Sequence, residues 1–235
     1  MGYYGYYGYV QFDWTYILLL VAAVFAMIAS VKVKTTYNKY AKVASRRGLT
    51  AEAAATAVLR ASGVTDVRIG RISGELTDNF NPKTGTISLS DSVYGKTSVA
   101  AIGVACHEAG HAIQHAEQYG PIKIRTAIVP ITQIGSTLSM PILLAGFILG
   151  FGVLIYVGIA LFATSTVFQL VTLPTELNAS SRALKALDSC GILEKDELKG
   201  AKKVLTAAAL TYVAALASSL LTLLRYIMLA KRRDD

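Results

Sequence analysis

TYILLLVAAVFAMIASV, residues 15–31, runs without a single charged side chain. A helix needs about 17–25 apolar residues to cross the hydrocarbon core of a bilayer, so this stretch reads as a transmembrane helix and decides the class of the protein. Its flanks set the direction. No basic residue precedes Thr15, whereas Lys32, Lys34, Lys39, Lys42, Arg46 and Arg47 follow Val31. A signal peptide carries its positive charge before the apolar run, so the reversed order argues for an anchor with its N-terminus outside. The opening MGYYGYYGYVQF, within a Tyr/Gly-rich tail over 1–14, reads as a flexible aromatic segment resting at the membrane interface.

Working outward, three further apolar stretches stand near 127–149, 151–173 and 204–228. The first of these is diluted by Gln133, Ser136, Thr137 and Ser139. The whole chain of 235 residues is 53% hydrophobic, with mean hydropathy +0.47, too apolar for an ordinary soluble domain. Its net charge of +8 sits beside the apolar spans, which points to topology and anionic lipid headgroups and away from nucleic acid. Lysine and arginine number 13 in residues 32–125 and 6 in residues 175–203, so a hairpin over 126–173 would place both segments on one, cytoplasmic, side. Lys231, Arg232 and Arg233 conflict with that bias if the last span crosses fully. Cys106 and Cys190 have no paired spacing and suit a reducing compartment.

The segment after the first span reads as two helices, Lys34–Arg47 and Ala51–Ala61, broken at Gly48, with Thr50 as N-cap and Gly63 as stop. VTDVRIGRISGEL and GTISLS then bracket the polar loop TDNFNPKTG as a small β-hairpin. A helix follows from Thr97 or Ser98 to Tyr119, closed by Gly120 and Pro121. After the apolar hairpin, a polar helix is expected over 175–187 with Glu176 near its start, then a turn into the last span, 204–229, and a charged tail, 230–235.

All three histidines lie in VACHEAGHAIQHA, residues 104–116. His107 and His111 are four apart, one turn of a helix and one face, the separation at which two imidazoles converge on a zinc ion. Glu108 completes H-E-x-x-H, in which the acid acts as general base. Outside a metal site the same residues would be an ordinary buried helix carrying imidazoles. A catalytic zinc needs a third protein ligand. His115 is too far, since eight residues at 1.5 Å rise separate its Cα from that of His107 by about 12 Å. The longer H-E-x-x-H-x-x-G-x-x-H pattern fails because Gln114 and Glu117 stand where glycine and histidine would be required. His115 and Gln114 therefore read as solvated helix residues, either of which could touch substrate, and Cys106 as a small packed one. Glu176, in LPTELNASSRALKAL directly after the third span, is the expected third ligand, because the hairpin returns the chain to the face it left. Taken alone it would be an acid favoured at a helix start. Asp188, Glu194, Asp196 and Glu197 read as solvated surface. Arg182 reads as a surface or lipid-facing residue, and TISLS as either a core strand or an edge able to pair with a substrate backbone.

With these residues in place, the chain resembles the YugP-like family of bacterial membrane neutral zinc metallopeptidases. The resemblance rests on GELTDNFNPKTGTISLSDSVYGKTSVAAIGVACHEAGHAIQHA, PTELNASSRALKAL and GAKKVLTAAALTYVAA and covers nearly the whole chain. It implies one zinc per chain held by His107 and His111, with Glu108 catalytic. The order of zinc helix, membrane hairpin and Glu-bearing helix is also similar to HtpX-type membrane proteases of the gluzincin kind, which by analogy supports Glu176 as third ligand. One loop departs from the family: it reads Asp78-Asn79-Phe80-Asn81-Pro82 where D-H-Y-D-P is usual, so no role of a loop histidine or second loop acid carries over.

The expectation is a mainly α integral membrane protein of about four transmembrane helices, with a zincin-like α+β cytoplasmic region over 32–125 containing a small β-hairpin. Its expected activity is zinc-dependent peptide hydrolysis at the cytoplasmic face of a bacterial plasma membrane, with membrane lipids and a peptide or membrane-protein substrate as partners. The competing class is a non-catalytic membrane scaffold with a structural or vestigial metal site. A closed structural zinc site usually has four protein ligands, often cysteines, and the neighbourhood of His107 offers no fourth.

Overall fold

The computed structural model describes residues 13–234; the aromatic opening of the chain lies outside the described residues. Among the described residues four helices are long and apolar enough to cross a membrane: α1 (Tyr16–Tyr40), α4 (Gly120–Leu149), α5 (Gly152–Ser189) and α6 (Lys195–Asp234). Between α1 and α4 lie the short helix α2 (Ala51–Ala61), strands β1 (Arg68–Ile72), β2 (Asn79–Asn81) and β3 (Thr86–Ser90), and helix α3 (Val99–Ala116). The protein is a mainly α membrane protein with one small sheet.

Large apolar side chains on the spans face away from the protein. Leu20, Met27, Ile28, Ile148 and Val153 are all more than half exposed. In water such a surface would be prohibitive; against acyl chains it is the ordinary solvent-facing surface of a membrane helix. The dry core lies elsewhere, at one end of the bundle, where α2, β3, α3 and the ends of α5 and α6 meet. Val58, Ile87, Leu89 and Ile102 are fully buried there, each worth about 1.5–3 kcal/mol relative to exposure.

The last helix runs antiparallel along the whole of α1. At one end the Tyr40 ring packs on Gly200, where an added Cβ would come within 2.8 Å of it. At the other, Arg232 donates to the Asp13 carboxylate at 3.0 Å, with Arg225 also facing Asp13 at 3.6 Å. Arg233 donates to the carbonyls of Gly146 and Gly150 in the α4–α5 turn. Arg232 and Arg233 of the basic tail are thereby paired, which offsets part of the conflict that these charges pose for a helix spanning the full length of α1.

Several local expectations change. The Lys34–Arg47 segment is not a second helix: α1 continues unbroken to Tyr40, and residues 41–50 run irregularly, pairing once with Ser98 through Ala44. Thr50 does cap α2, its hydroxyl accepting from the Ala53 N–H at 3.4 Å, and Gly63 follows the helix with φ +72°. The expected hairpin partners are parallel. β1 pairs with β3 in parallel register and the loop between them supplies β2, antiparallel to β3, giving the order β1-β3-β2. TISLS is therefore the central strand, with β1 and Asn79–Asn81 at the two edges, and the small hairpin is formed by β2 and β3. Gly120 and Pro121 do not merely end α3; they open α4, where proline costs no hydrogen bond and its fixed φ suits the first turn. Pro174 does not start a helix either. It lies inside the continuous 38-residue α5, so Glu176 sits mid-helix and owes nothing to a helix-start preference.

Candidate metal centre

α3 is capped by Ser98, whose hydroxyl accepts from the Ala101 N–H at 3.3 Å. Its buried face carries the small residues Ala101, Ala105 and Ala109, which let it approach other elements closely. At Gly110 an added Cβ would lie 2.5 Å from the Ala179 carbonyl of α5. Backbone meets backbone there, and this contact brings the Glu176 turn of α5 over the His107–His111 turn of α3.

The Glu176 carboxylate lies 3.2 Å from Nε2 of His107 and 3.3 Å from Nε2 of His111, both through Oε2. The donor atoms of the three residues all lie within 4.8 Å of one another. Bonds of about 2.0–2.2 Å in a tetrahedron put donors roughly 3.3 Å apart, so the set fits zinc in both chemistry and spacing. Glu176 is buried, 2% exposed, as are Glu108 and His111 at 8% each.

Each ring is held from behind. Ser180, one turn after Glu176, has its hydroxyl 3.1 Å from Nδ1 of His107. Gln114, fully buried, donates its amide to the Thr175 carbonyl at 2.8 Å and to Oδ1 of Asn178 at 2.9 Å. That leaves its Oε1 facing Nδ1 of His111 at 3.0 Å, so Nδ1 carries a proton and Nε2 is the nitrogen turned toward Glu176. Gln114 is thus a packed orienting residue and not a solvated one. Its spacing of three from His111 was the signal for it in the sequence. The network extends outward, since Arg182 donates to Asn178 at 2.7 Å and pairs with Glu117 at 2.6 Å, so it faces neither lipid nor open solvent alone.

Two residues from the spans lie beside the same carboxylate. Arg125 of α4 faces Oε1 of Glu176 at 3.3 Å, and Tyr212 of α6 lines the same cavity beside Glu176. Neither has a local sequence signal. His115 lies apart, exposed and edge-on to Phe80 at 6.0 Å between ring centroids. Cys106 is completely buried among apolar neighbours, and burial pushes its thiol far above the ordinary range, which suits packing and not ligation. Among the acids expected on the surface, Glu194, Asp196 and Asp188 are exposed. Glu197 turns inward instead, accepting from the backbone N–H groups of Arg46 and Glu194.

A cavity of about 610 Å³ opens over the centre, bounded by β2, Glu108, Arg125, Phe168 and Tyr212. Burial pushes the Glu108 carboxyl above the usual carboxylate range, with His107 and His111 pulling partly back. His111 is pulled down by burial, but the hydrogen bond and charge of Glu176 outweigh this and raise it. At the cavity rim Asp78 accepts from the backbone N–H and hydroxyl of Ser90 at 2.8 and 2.9 Å, fixing β2 to β3. Burial nevertheless outweighs these bonds and raises its carboxyl above the ordinary 3.8. The folded state then favours the protonated acid. That contribution is complete below the unfolded value and is lost as pH rises through the folded one. Replacing Asp78 with Asn removes the titration, so the melting temperature of the variant relative to wild type should move in its favour between about pH 3 and pH 7. A difference independent of pH would contradict this account.

Removing the amide of Gln114 frees His111 to rotate. Gln114→Ala should weaken zinc binding by about 10–100-fold in chelator competition, and an unchanged affinity would show that the ring is held by packing alone.

A multi-helix membrane protein with a largely buried set of two histidines and one carboxylate has the make-up of a membrane metalloprotein. Residues 15–231 match the family described as "Putative neutral zinc metallopeptidase", and the chain belongs to it. It is also 43% identical over 215 residues to a Bacillus subtilis (strain 168) protein named "Putative membrane protease YugP", covering 91% of this chain and 96% of that one. No solved structure matches the chain.

Proposed function

We propose that this protein is a membrane-embedded zinc metalloendopeptidase of the H-E-x-x-H gluzincin type, holding one zinc through His107, His111 and Glu176. The observation that carries the reading is the convergence of both motif imidazoles on one carboxylate, with Glu108 buried in the same cavity. A bound zinc ion supplies Lewis acidity, acidifying a water and polarising the scissile carbonyl. Glu108 takes the proton from that water on its carboxylate and delivers it to the departing amine. Its burial supports this role, because a base poised nearer neutrality returns the proton more readily. Arg125 holds Oε1 of Glu176 and so leaves Oε2 for the metal side. The exposed edge of β2 supports binding of an extended substrate by strand addition, with the cavity below it for side chains. The expected substrate is accordingly a peptide or an unfolded stretch of a membrane protein.

The lysines and arginines flanking the centre end of the bundle support a multi-pass arrangement in the plasma membrane with the site on the cytoplasmic face. The test is zinc per chain in detergent-purified wild type, His111→Ala and Glu176→Ala. Near-stoichiometric zinc lost in both variants is the expected result. Zinc retained by Glu176→Ala would remove it from the ligand set, and a metal-free wild type that takes up no added zinc would overturn the peptidase reading.

A further inference from the structure

We propose that the groove between the lysine-rich ends of α1 and α6 binds the phosphate headgroup of an anionic phospholipid. The groove, about 640 Å³, is separate from the metal centre. Lys32 and Lys39 line it from α1, and Lys199, Lys202 and Lys203 from α6, with no acidic side chain among its walls. Among the described residues none of these five ammonium groups has a carboxylate partner, in contrast to Arg46 and Arg71, which are paired with acids on nearby elements. Five like charges around one concavity repel one another, and an anion seated among them removes that cost.

The shape selects a lipid and not a soluble anion. Lys32, Thr36, Lys39 and Tyr40 follow helical spacing on one face of α1, and that face continues toward the span as the exposed Ile28 and Val21. On α6, Lys199, Lys202, Lys203, Thr206 and Ala207 continue as Leu210 and Val213. Charge therefore gives way to apolar surface along the same two stripes, with cations where the phosphate of a bilayer lipid lies and hydrocarbon where its chains run. The hydroxyl of Thr206 stands where the α6 lysines give way to apolar residues, beside where the glycerol ester groups would be, while those of Thr35 and Thr36 lie between Lys39 and Lys32, that of Thr35 already donating to the Val31 carbonyl at 2.8 Å. The Tyr40 ring seated on Gly200 closes the far end. A soluble polyanion would use the lysines and leave the apolar continuation unused.

The test is native mass spectrometry of the full chain from detergent containing equal phosphatidylglycerol and phosphatidylcholine. It compares wild type, a groove triple (Lys32→Gln, Lys199→Gln, Lys203→Gln) and a control triple of equal charge change (Lys96→Gln, Lys123→Gln, Lys231→Gln). Wild type and control should retain phosphatidylglycerol in preference to phosphatidylcholine. The groove triple should lose that preference by at least about tenfold, since each cation near an anionic surface is worth roughly fivefold. Arginine at the same three positions should restore it, and circular dichroism melts confirm that each variant is folded. Equal loss in both triples would overturn the proposal in favour of diffuse surface attraction. Full displacement by soluble glycerol phosphate would overturn it in favour of a simple anion site, and equal retention of the two lipids would overturn it outright.

Discussion

Replacing Glu108 with Gln should lower peptide hydrolysis by about 10²–10⁴-fold while leaving zinc content unchanged. The side chain is buried beside both imidazoles, yet Glu176, not Glu108, is the carboxylate that both Nε2 atoms approach. A glutamine of the same shape keeps the packing and cannot accept a proton at neutral pH, so the metal stays and the chemistry stops. The measurement pairs zinc per chain with cleavage of a quenched, unfolded reporter protein in proteoliposomes. Lost zinc would mean that Glu108 is a ligand. Undiminished cleavage with zinc in place would mean that proton transfer runs through another group, and the assignment of the base would fail.

The second large effect is expected at Gly110. A Cβ there would stand 2.5 Å from the Ala179 carbonyl oxygen and 3.1 Å from its carbon, and neither atom can rotate aside. Gly110→Ala must therefore push α3 and α5 apart, and these two helices carry the histidines and the glutamate. Overpacking of a fixed contact costs about 1–3 kcal/mol. Because the shift falls on the axis joining the donors, zinc affinity should drop along with the melting temperature. Gly103→Ala is the matched comparison on the same helix: its Cβ would meet that of Ala201 at 3.4 Å, an ordinary contact, and little should change. Equal effects of the two variants would show that helix backbone propensity, and not the α3–α5 contact, governs the result.

Much of this arrangement was legible in the sequence, and the reasons differ by residue. His107, Glu108 and His111 are readable because a helix converts a spacing of four into proximity without help from the rest of the chain. Glu176 was reachable by topology, since a hairpin of two spans returns the chain to its starting face. The continuity of α5 through Pro174 was not legible. Proline ends most helices in water, but a helix buried among others and in lipid can keep going around the missing N–H. The parallel pairing of β1 with β3 was hidden for a related reason. Adjacent strands with a polar loop between them read as a hairpin unless the three residues Asn79–Asn81 are recognised as a strand, and that run is too short to show alternation. Gln114 read as solvated because the element that buries it lies more than 60 positions away. Arg125 and Tyr212 likewise meet Glu176 only through packing of three separate helices.

The contact of Gly110 with Ala179 has a mechanical meaning as well. α5 runs from the α4–α5 turn at the far end of the spans to the metal centre, packed along α4 and α6, and helices in bilayers tilt to match the local thickness. Ala179 is where that helix bears directly on the backbone of α3, the point about which a tilt would turn. Glu176 lies only three residues, ~4.5 Å, from it, whereas Gly152 lies ~40 Å away. A rocking of ~5° would swing the lipid-side end through ~3.5 Å but the carboxylate through only ~0.4 Å. A carboxylate this close to the contact would move least if the helix tilts about it, however far the membrane carries the other end.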